Sequence, residues 1–414
     1  MVRDKTFVVA ALRSWSDTEA SPGQAMAREL AQENRVLYVN PPVDWMALLG
    51  GGGNRGTERK NRVLRGSEPA IRRAGSSLWV LEPPLVVSSF SKIYSDLVFD
   101  LLNRRNGRRF AEVIRWAMDH LGMEEHYLLI ENDFYRGLYL KEYLDPELTV
   151  YYRRFDLQQV DFWRRHGERL EPRLVRKSDL VVTADVMLAE QVRAYNYDTY
   201  AIGRGTDLEG FDPEHRYRKP SPLYGIPRPL IGMTAPLSVM LQSPDLLYRV
   251  ACAFPRCSLV LAGGEDALFS RHGLHWLNNV FFMGAKADRE LPAYVAQFDA
   301  CISPEARNGH TRASYPDSVV RYLALGKNVV ATATDPLFPF GEHLALARSD
   351  GHFLELLERA LREPPPEGLR RERARFARTF SWRDCVQRLY AVMELVLSER
   401  EEEDGCREEE LTVS

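Results

Sequence analysis

Four carboxylates in the first half of this 414-residue chain sit where a general acid or base could work. They are Asp17, Glu19, Asp133 and Asp156, each just after an apolar run that reads as a strand. Spacing alone does not choose among them, and each is equally suited to capping a loop or facing solvent. Arg153 and Arg154 end one such strand, where a cation could hold phosphate or form an ordinary ion pair. In the second half, "SYPDSVVRYLALGKNVVATATDP" (314–336) reads as a short helix with Ser318 and Arg321 three apart, a glycine stop at Gly326 and a buried strand. Pro316 suits the first turn of that helix. A helix N-terminus there could take a diphosphate through its backbone N–H groups. His272 and His275 in "RHGLHW" have helical spacing but no third ligand nearby in sequence. There is no GxxxxGK[ST] and no DxD, which argues against P-loop hydrolysis and a carboxylate-held magnesium.

The elements that would position these groups alternate. Strand candidates in the first half are 6–12, 35–42, 77–84, 126–133, 149–155 and 179–185, with helical periodicity over 24–33, 91–121, 134–144, 162–177 and 187–195. A second series follows a proline-rich connection at 206–229, with strands expected at 230–235, 258–264, 279–284, 300–305, 328–333 and 344–347. Strand–helix–strand order means parallel, doubly wound sheets, which bind ligands at the carboxyl ends of their strands. The expected organisation is an N-terminal α/β domain at 1–205, the linker, a C-terminal α/β domain at 230–380, a helix at 381–398 begun by Ser381 and Asp384 as a capping box, and a disordered acidic tail at 399–414. Two such domains facing one another would bring both ligand edges to one cleft. The aromatic stretch at 135–144 reads as helix packing.

Composition sets the outer limits. Hydrophobic residues make up 45% and charged residues 27%, as in a folded soluble protein, and no apolar run approaches the ~20 residues of a membrane span. Five cysteines without a CxxC, and an N-terminus without a signal peptide, imply a reducing, cytoplasmic setting. The net charge of −3 is unevenly spread: 54–73 holds seven basic residues and 103–110 four arginines. These could face an anionic membrane from the cytoplasmic side or simply be solvated. No nucleic-acid motif accompanies them.

"NNVFFMGAKADRELPAYVAQFDACISPEARNGHTRASYPDSVVRYLALGKNVVATATDP" (278–336) resembles the retaining GT-B glycosyltransferases of the group-1, family-four type. "ENRVLYVNPPVDW", "YYRRFDLQQVDFWRRHGERLEPRLVRKSDLVV" and "AIGRGTDLEGF" are similar to segments of the bacterial polysaccharide-biosynthesis branch. The resemblance implies two facing Rossmann-like domains with the last helix crossing back to the first. It implies a nucleotide diphosphate sugar as donor, a glycan or lipid-linked acceptor, and neither cofactor nor metal. The donor site it implies comprises Gly263, Gly264, Phe282, Gly284, Glu305, Tyr315, Pro316, Ser318 and Arg321, with Asp17, Asp133 and Asp156 on the acceptor side.

The chain departs from the family pattern inside that site. Ser318 stands where the motif has lysine, Arg321 where it has the ribose-binding glutamate, and Asn328 replaces a proline. The loop after "IGMTAPLS" also lacks the family's basic residue. Two accounts follow: Arg321 takes over phosphate binding in an active glycosyltransferase, or Asp317 and Arg321 form a plain i,i+4 pair in a binding subunit that no longer catalyses. A third class, nucleotide-sugar epimerisation, uses the same fold.

Overall fold

A computed structural model describes residues 2–15, 21–46, 55–89, 93–156, 161–308 and 315–413, which form two compact units. The first comprises Met1–Gly205 together with Trp382–Ser414. Its strands are β1 (Thr6–Ala10), β2 (Arg35–Val39), β3 (Val43–Asp44), β4 (Ile71–Arg73), β5 (Leu78–Leu81), β6 (Val86–Val87), β7 (Tyr127–Glu131), β8 (Leu148–Arg153), β9 (Leu180–Thr183) and β10 (Thr199–Ala201). Eight form one sheet, in the order β10-β9-β8-β7-β1-β2-β5-β4, parallel except where β4 meets β5; β3 and β6 pair separately. Strands buried on both faces read as continuous apolar runs for a simple reason. Val8, Leu128 and Tyr151 pack on one side with Phe110 and Ile114 of the Asp96–Leu121 helix. Phe7, Val9, Leu129 and Val150 pack on the other with Met26, Leu389 and Met393.

The second unit is Thr206–Ser381. Its strands β11 (Leu230–Met233), β12 (Ser258–Leu261), β13 (Val280–Phe282), β14 (Ala300–Ser303), β15 (Val329–Thr332) and β16 (Ala345–Ala347) form one parallel sheet, ordered β13-β12-β11-β14-β15-β16. Strand order reverses between β11 and β14, the place where an open sheet forms its ligand crevice. Both units therefore have the doubly wound, Rossmann-like form expected from the alternating pattern.

Four expectations need correction. The 206–229 stretch is part of the second unit, because Phe211, Leu223 and Ile226 are buried in its core. The basic stretch after residue 54 contains a helix, Arg55–Leu64, and then β4, elements that the sequence pattern did not place there. The single helix expected at 134–144 is two short ones, Phe134–Gly137 and Leu140–Leu144. The last helix runs from Trp382 to Val413, well past Ser398, so the acidic tail is helical rather than disordered. Its Glu- and Arg-rich composition consists of good helix formers, which outweighs the charge repulsion.

Among the described residues, no helix is long and apolar enough to cross a membrane.

Candidate functional site

In the second unit, the loops at the carboxyl edge of the sheet are laced into a rim. After β11, the Leu237 N–H donates to the Gly264 carbonyl at 2.8 Å, and the Val239 N–H donates to Asp266 Oδ2 at 3.1 Å. The Ala306 N–H donates to the Leu241 carbonyl at 2.9 Å, joining the same turn to the loop after β14. Gly263 is required by this approach, since a Cβ there would lie 1.8 Å from the Ala235 carbonyl oxygen. Gly264 has room to spare. Gly284 has φ +67°, the left-handed region that suits glycine. Phe282 stacks on His275 with ring centroids 4.0 Å apart, and His275 Nε2 lies 2.9 Å from Glu265 Oε1. His272 faces Asp245 instead, so the two histidines have separate carboxylate partners.

The Asp317–Ala324 helix begins one residue later than expected, with Pro316 at the cap position making no side-chain cap hydrogen bond and the Asp317 N–H donating to the Tyr315 carbonyl at 3.0 Å. Val319, Val320 and Leu323 seat the helix in the core. Tyr322 is fully buried, and its hydroxyl accepts from the Thr234 N–H at 2.6 Å, which fixes the end of β11 against the helix. Ser318, one turn before Tyr322 on the same helix, is half-buried. The Thr206 hydroxyl donates to Asp317 Oδ1 at 2.9 Å and lies 3.4 Å from the Tyr315 hydroxyl.

Arg321 does not pair with Asp317. Its guanidinium meets Asp288 Oδ1 at 3.2 Å, donates to the Asp207 carbonyl at 3.4 Å and lies 5.9 Å from the Phe211 ring centroid. The i,i+4 surface pair is thus replaced by a bridge to the loop after β13, where Asp288 keeps a half-exposed carboxylate. That loop also carries Lys286, whose Nζ donates to the Met283 carbonyl at 2.5 Å.

Glu305, just past β14, is almost fully buried and accepts a hydrogen bond from Thr334 Oγ1 at 2.9 Å. Burial pushes its carboxyl up to about 6, against the opposing hydrogen bonds from Thr334 and Ser303.

In the first unit, the sheet reverses between β1 and β7, and a buried ion pair stands at that edge. Glu131 at the end of β7 pairs with Arg154 at 3.1 Å, and both are buried. Gly23, at the start of the Pro22–Leu30 helix, is forced by this carboxylate, because a Cβ would lie 2.2 Å from Glu131 Oε2. Desolvation raises the Glu131 carboxyl, while Arg154 and the Leu12 N–H lower it.

The described acceptor-side candidates, Asp133 and Asp156, follow the ends of β7 and β8 at this same edge. Asp133 is buried, caps the next helix through the Arg136 N–H at 3.0 Å and pairs with the Arg136 guanidinium, so it serves structure. Asp156 lies 3.4 Å from Arg153, which is held by Glu171 at 2.9 Å. Neither arginine is a surface cation. Asp17 and Glu19 fall outside the described residues. Tyr135, Leu138, Tyr139 and Leu140 pack in the core, as the aromatic stretch suggested.

Thr234, Asp288, Thr334 and Glu131 escaped the sequence reading, whereas Arg154 was singled out and its ordinary ion-pair alternative is the one seen. Only the polar run "IEND" at the end of an apolar strand gave a signal for one of them, Glu131.

No protein-family model matches the chain, and no curated protein matches its sequence. Solved structures match over nearly its whole length. Anabaena HepE, crystallised with UDP and glucose, is 15% identical with a TM-score of 0.55, covering 95% of this chain and 100% of its own. The Escherichia coli trehalose-6-phosphate structure bound with UDP-2-fluoroglucose is 10% identical with a TM-score of 0.61, covering 94% and 98%. The UDP-forming α,α-trehalose-phosphate synthase of Burkholderia xenovorans is 13% identical with a TM-score of 0.61, covering 95% and 99%. At these identities the likeness is one of fold: two Rossmann-like domains of the GT-B type.

Proposed function

We propose that this protein is a glycosyltransferase that moves a sugar from a nucleotide diphosphate donor to a cell-envelope glycan or lipid-linked acceptor. The observation that carries the reading is the laced rim of loops at the carboxyl edge of the second sheet, in the unit where the Asp317–Ala324 helix starts on a proline cap. The UDP-bound structures of the same fold support it. The diphosphate binds the backbone N–H groups of that helix, with Lys286 as the nearby cation. Gly263 and Gly284 let the backbone approach the nucleotide, and the Phe282–His275 stack flanks the base.

Arg321 acts indirectly. The carboxylate that the family pattern carries on this helix is supplied from the facing loop by Asp288, which Arg321 holds in place for the ribose hydroxyls. No divalent metal takes part: charge on the leaving diphosphate is met by the helix dipole and by Lys286. On the first unit, the carboxyl edge bearing Glu131 and Arg154 receives the acceptor. Tyr94, Leu97 and Leu101 are exposed close to Arg104 and Arg108, a surface suited to an anionic membrane carrying that acceptor.

Thermal-shift screening against UDP, GDP, ADP and TDP sugars identifies the donor, since a ligand at 100 times its dissociation constant adds about 2.7 kcal/mol. With that donor, Asp288→Asn is expected to weaken binding about tenfold, the scale of a lost charged hydrogen bond. EDTA should leave affinity unchanged. No stabilisation by any nucleotide would refute the donor site. Nucleotide binding without sugar release, to water or to any acceptor, would leave a binding subunit in place of an enzyme.

A further inference from the structure

At the amino edge of the second sheet, where β15 and β16 begin, lies a cavity of about 310 Å³. It is on the opposite edge from the loops described above. Its walls come from the Asp350–Arg362 and Glu367–Arg378 helices and the prolines that join them. Leu344, Leu356, Pro366 and Leu369 give it apolar sides. This volume lies at the lower end of the range for small-molecule sites.

Its polar wall is unusual. Arg373 is only 9% exposed, yet it forms no ion pair among the described residues. One of its terminal nitrogens donates to the Lys327 carbonyl at 3.1 Å and to Asn328 Oδ1 at 2.8 Å, which explains how the helix is tied to the strand. Its Nε is buried with no hydrogen-bond partner. His343 Nδ1, also in the cavity wall, is likewise buried without a hydrogen bond, its nearest carboxylate oxygen, on Glu372, being 4.0 Å away. A buried guanidinium without a counter-charge costs stability that an anion would offset. Glu342, Glu363 and Arg359 line the same cavity; Arg359 pairs with Glu363 at 3.3 Å, which leaves the Glu342 carboxylate to repel a dianion more than a monoanion.

We propose that this cavity binds a small organic monoanion, a carboxylate on an aromatic or short aliphatic body. The carboxylate sits on Arg373 and the body lies against Leu344, Leu356, Pro366 and Leu369. The site is separate from the donor site and does not depend on the glycosyltransferase reading.

The test uses 4-fluorobenzoate and its neutral analogue 4-fluorobenzamide, followed by fluorine NMR with the full chain. Benzoate should bind saturably and the amide about tenfold more weakly or worse, the scale of a charge-assisted hydrogen bond. Neither UDP nor inorganic phosphate should displace it. Arg373→Gln should abolish the preference for the acid. Because that change also disturbs the tie to Lys327 and Asn328, Leu369→Trp, which fills the cavity and keeps Arg373, is measured beside it and should lose benzoate. Equal binding of acid and amide, no saturable binding, displacement by UDP or phosphate, or undiminished benzoate binding by a folded Leu369→Trp would each overturn the proposal.

Discussion

Replacing Glu305 by glutamine isolates one term of the pH dependence of stability. Burial moves this carboxyl from an ordinary 4.5 to about 6. The native state therefore holds the proton more tightly than the unfolded chain does. The stability associated with that proton is fully present below about pH 4.5 and is lost as pH rises through about 6. A shift of roughly 1.5 units corresponds to about 2 kcal/mol at about 1.36 kcal/mol per unit. Glutamine fits the same shape, and the Thr334 and Ser303 hydroxyls can each turn to donate or accept. The variant should thus gain about 2 kcal/mol relative to the wild type between pH 4 and pH 7.5. Urea denaturation of both proteins at half-unit intervals measures the difference, in which every other titrating group cancels. A difference that stays flat across the range would refute the reasoning. The same carboxyl, close to a bound diphosphate, would be raised further, so donor binding near pH 6 should take up a proton, seen by calorimetry in buffers of different ionisation enthalpy.

In the first unit, Arg154→Met leaves the Glu131 carboxylate buried and unpaired and should cost about 3–5 kcal/mol at pH 8. The loss should shrink toward pH 5, because a carboxyl already raised by burial then takes up its proton; equal losses at both pH values would show that the pair does not matter. Gly263→Ala drives a Cβ into the Ala235 carbonyl and should lower stability by about 1–3 kcal/mol or more, whereas Gly264→Ala, whose Cβ would lie 3.8 Å from that of Ala285, should be tolerated. Matching urea midpoints for the two alanine variants would contradict this account of the rim.

The parallel strands were legible because burial on both faces leaves an apolar run that needs no periodicity to find: "FVVA", "LVVT" and "SLVL" became β1, β9 and β12. Strand β4 was not legible, since "IRR" owes its place to pairing with β5 rather than to its own composition. The site was half legible. Gly263 and Gly284 stand out because glycine answers to local backbone demands, a close approach in one case and a positive φ in the other. The Arg321–Asp288 bridge spans 33 positions and the Thr234–Tyr322 bond 88, and no local pattern marks either. The acidic tail misled for the opposite reason: charge density was read as disorder where helix propensity decides.

The second unit begins and ends at adjacent residues, with Thr206 bridged to Ser381 and the Thr206 N–H donating to the Phe380 carbonyl at 2.7 Å. In sequence it is an insertion, since the first unit resumes at Trp382 and needs Leu389, Met393 and Val396 to cover one face of its sheet. A ribosome therefore releases a foldable second unit while the first still exposes a greasy seam. Completion of the earlier-made part waits on residues synthesised after the insert. Any chain cut short near residue 381 carries a finished insert on an unfinished host, and the host is the part that will aggregate or be degraded.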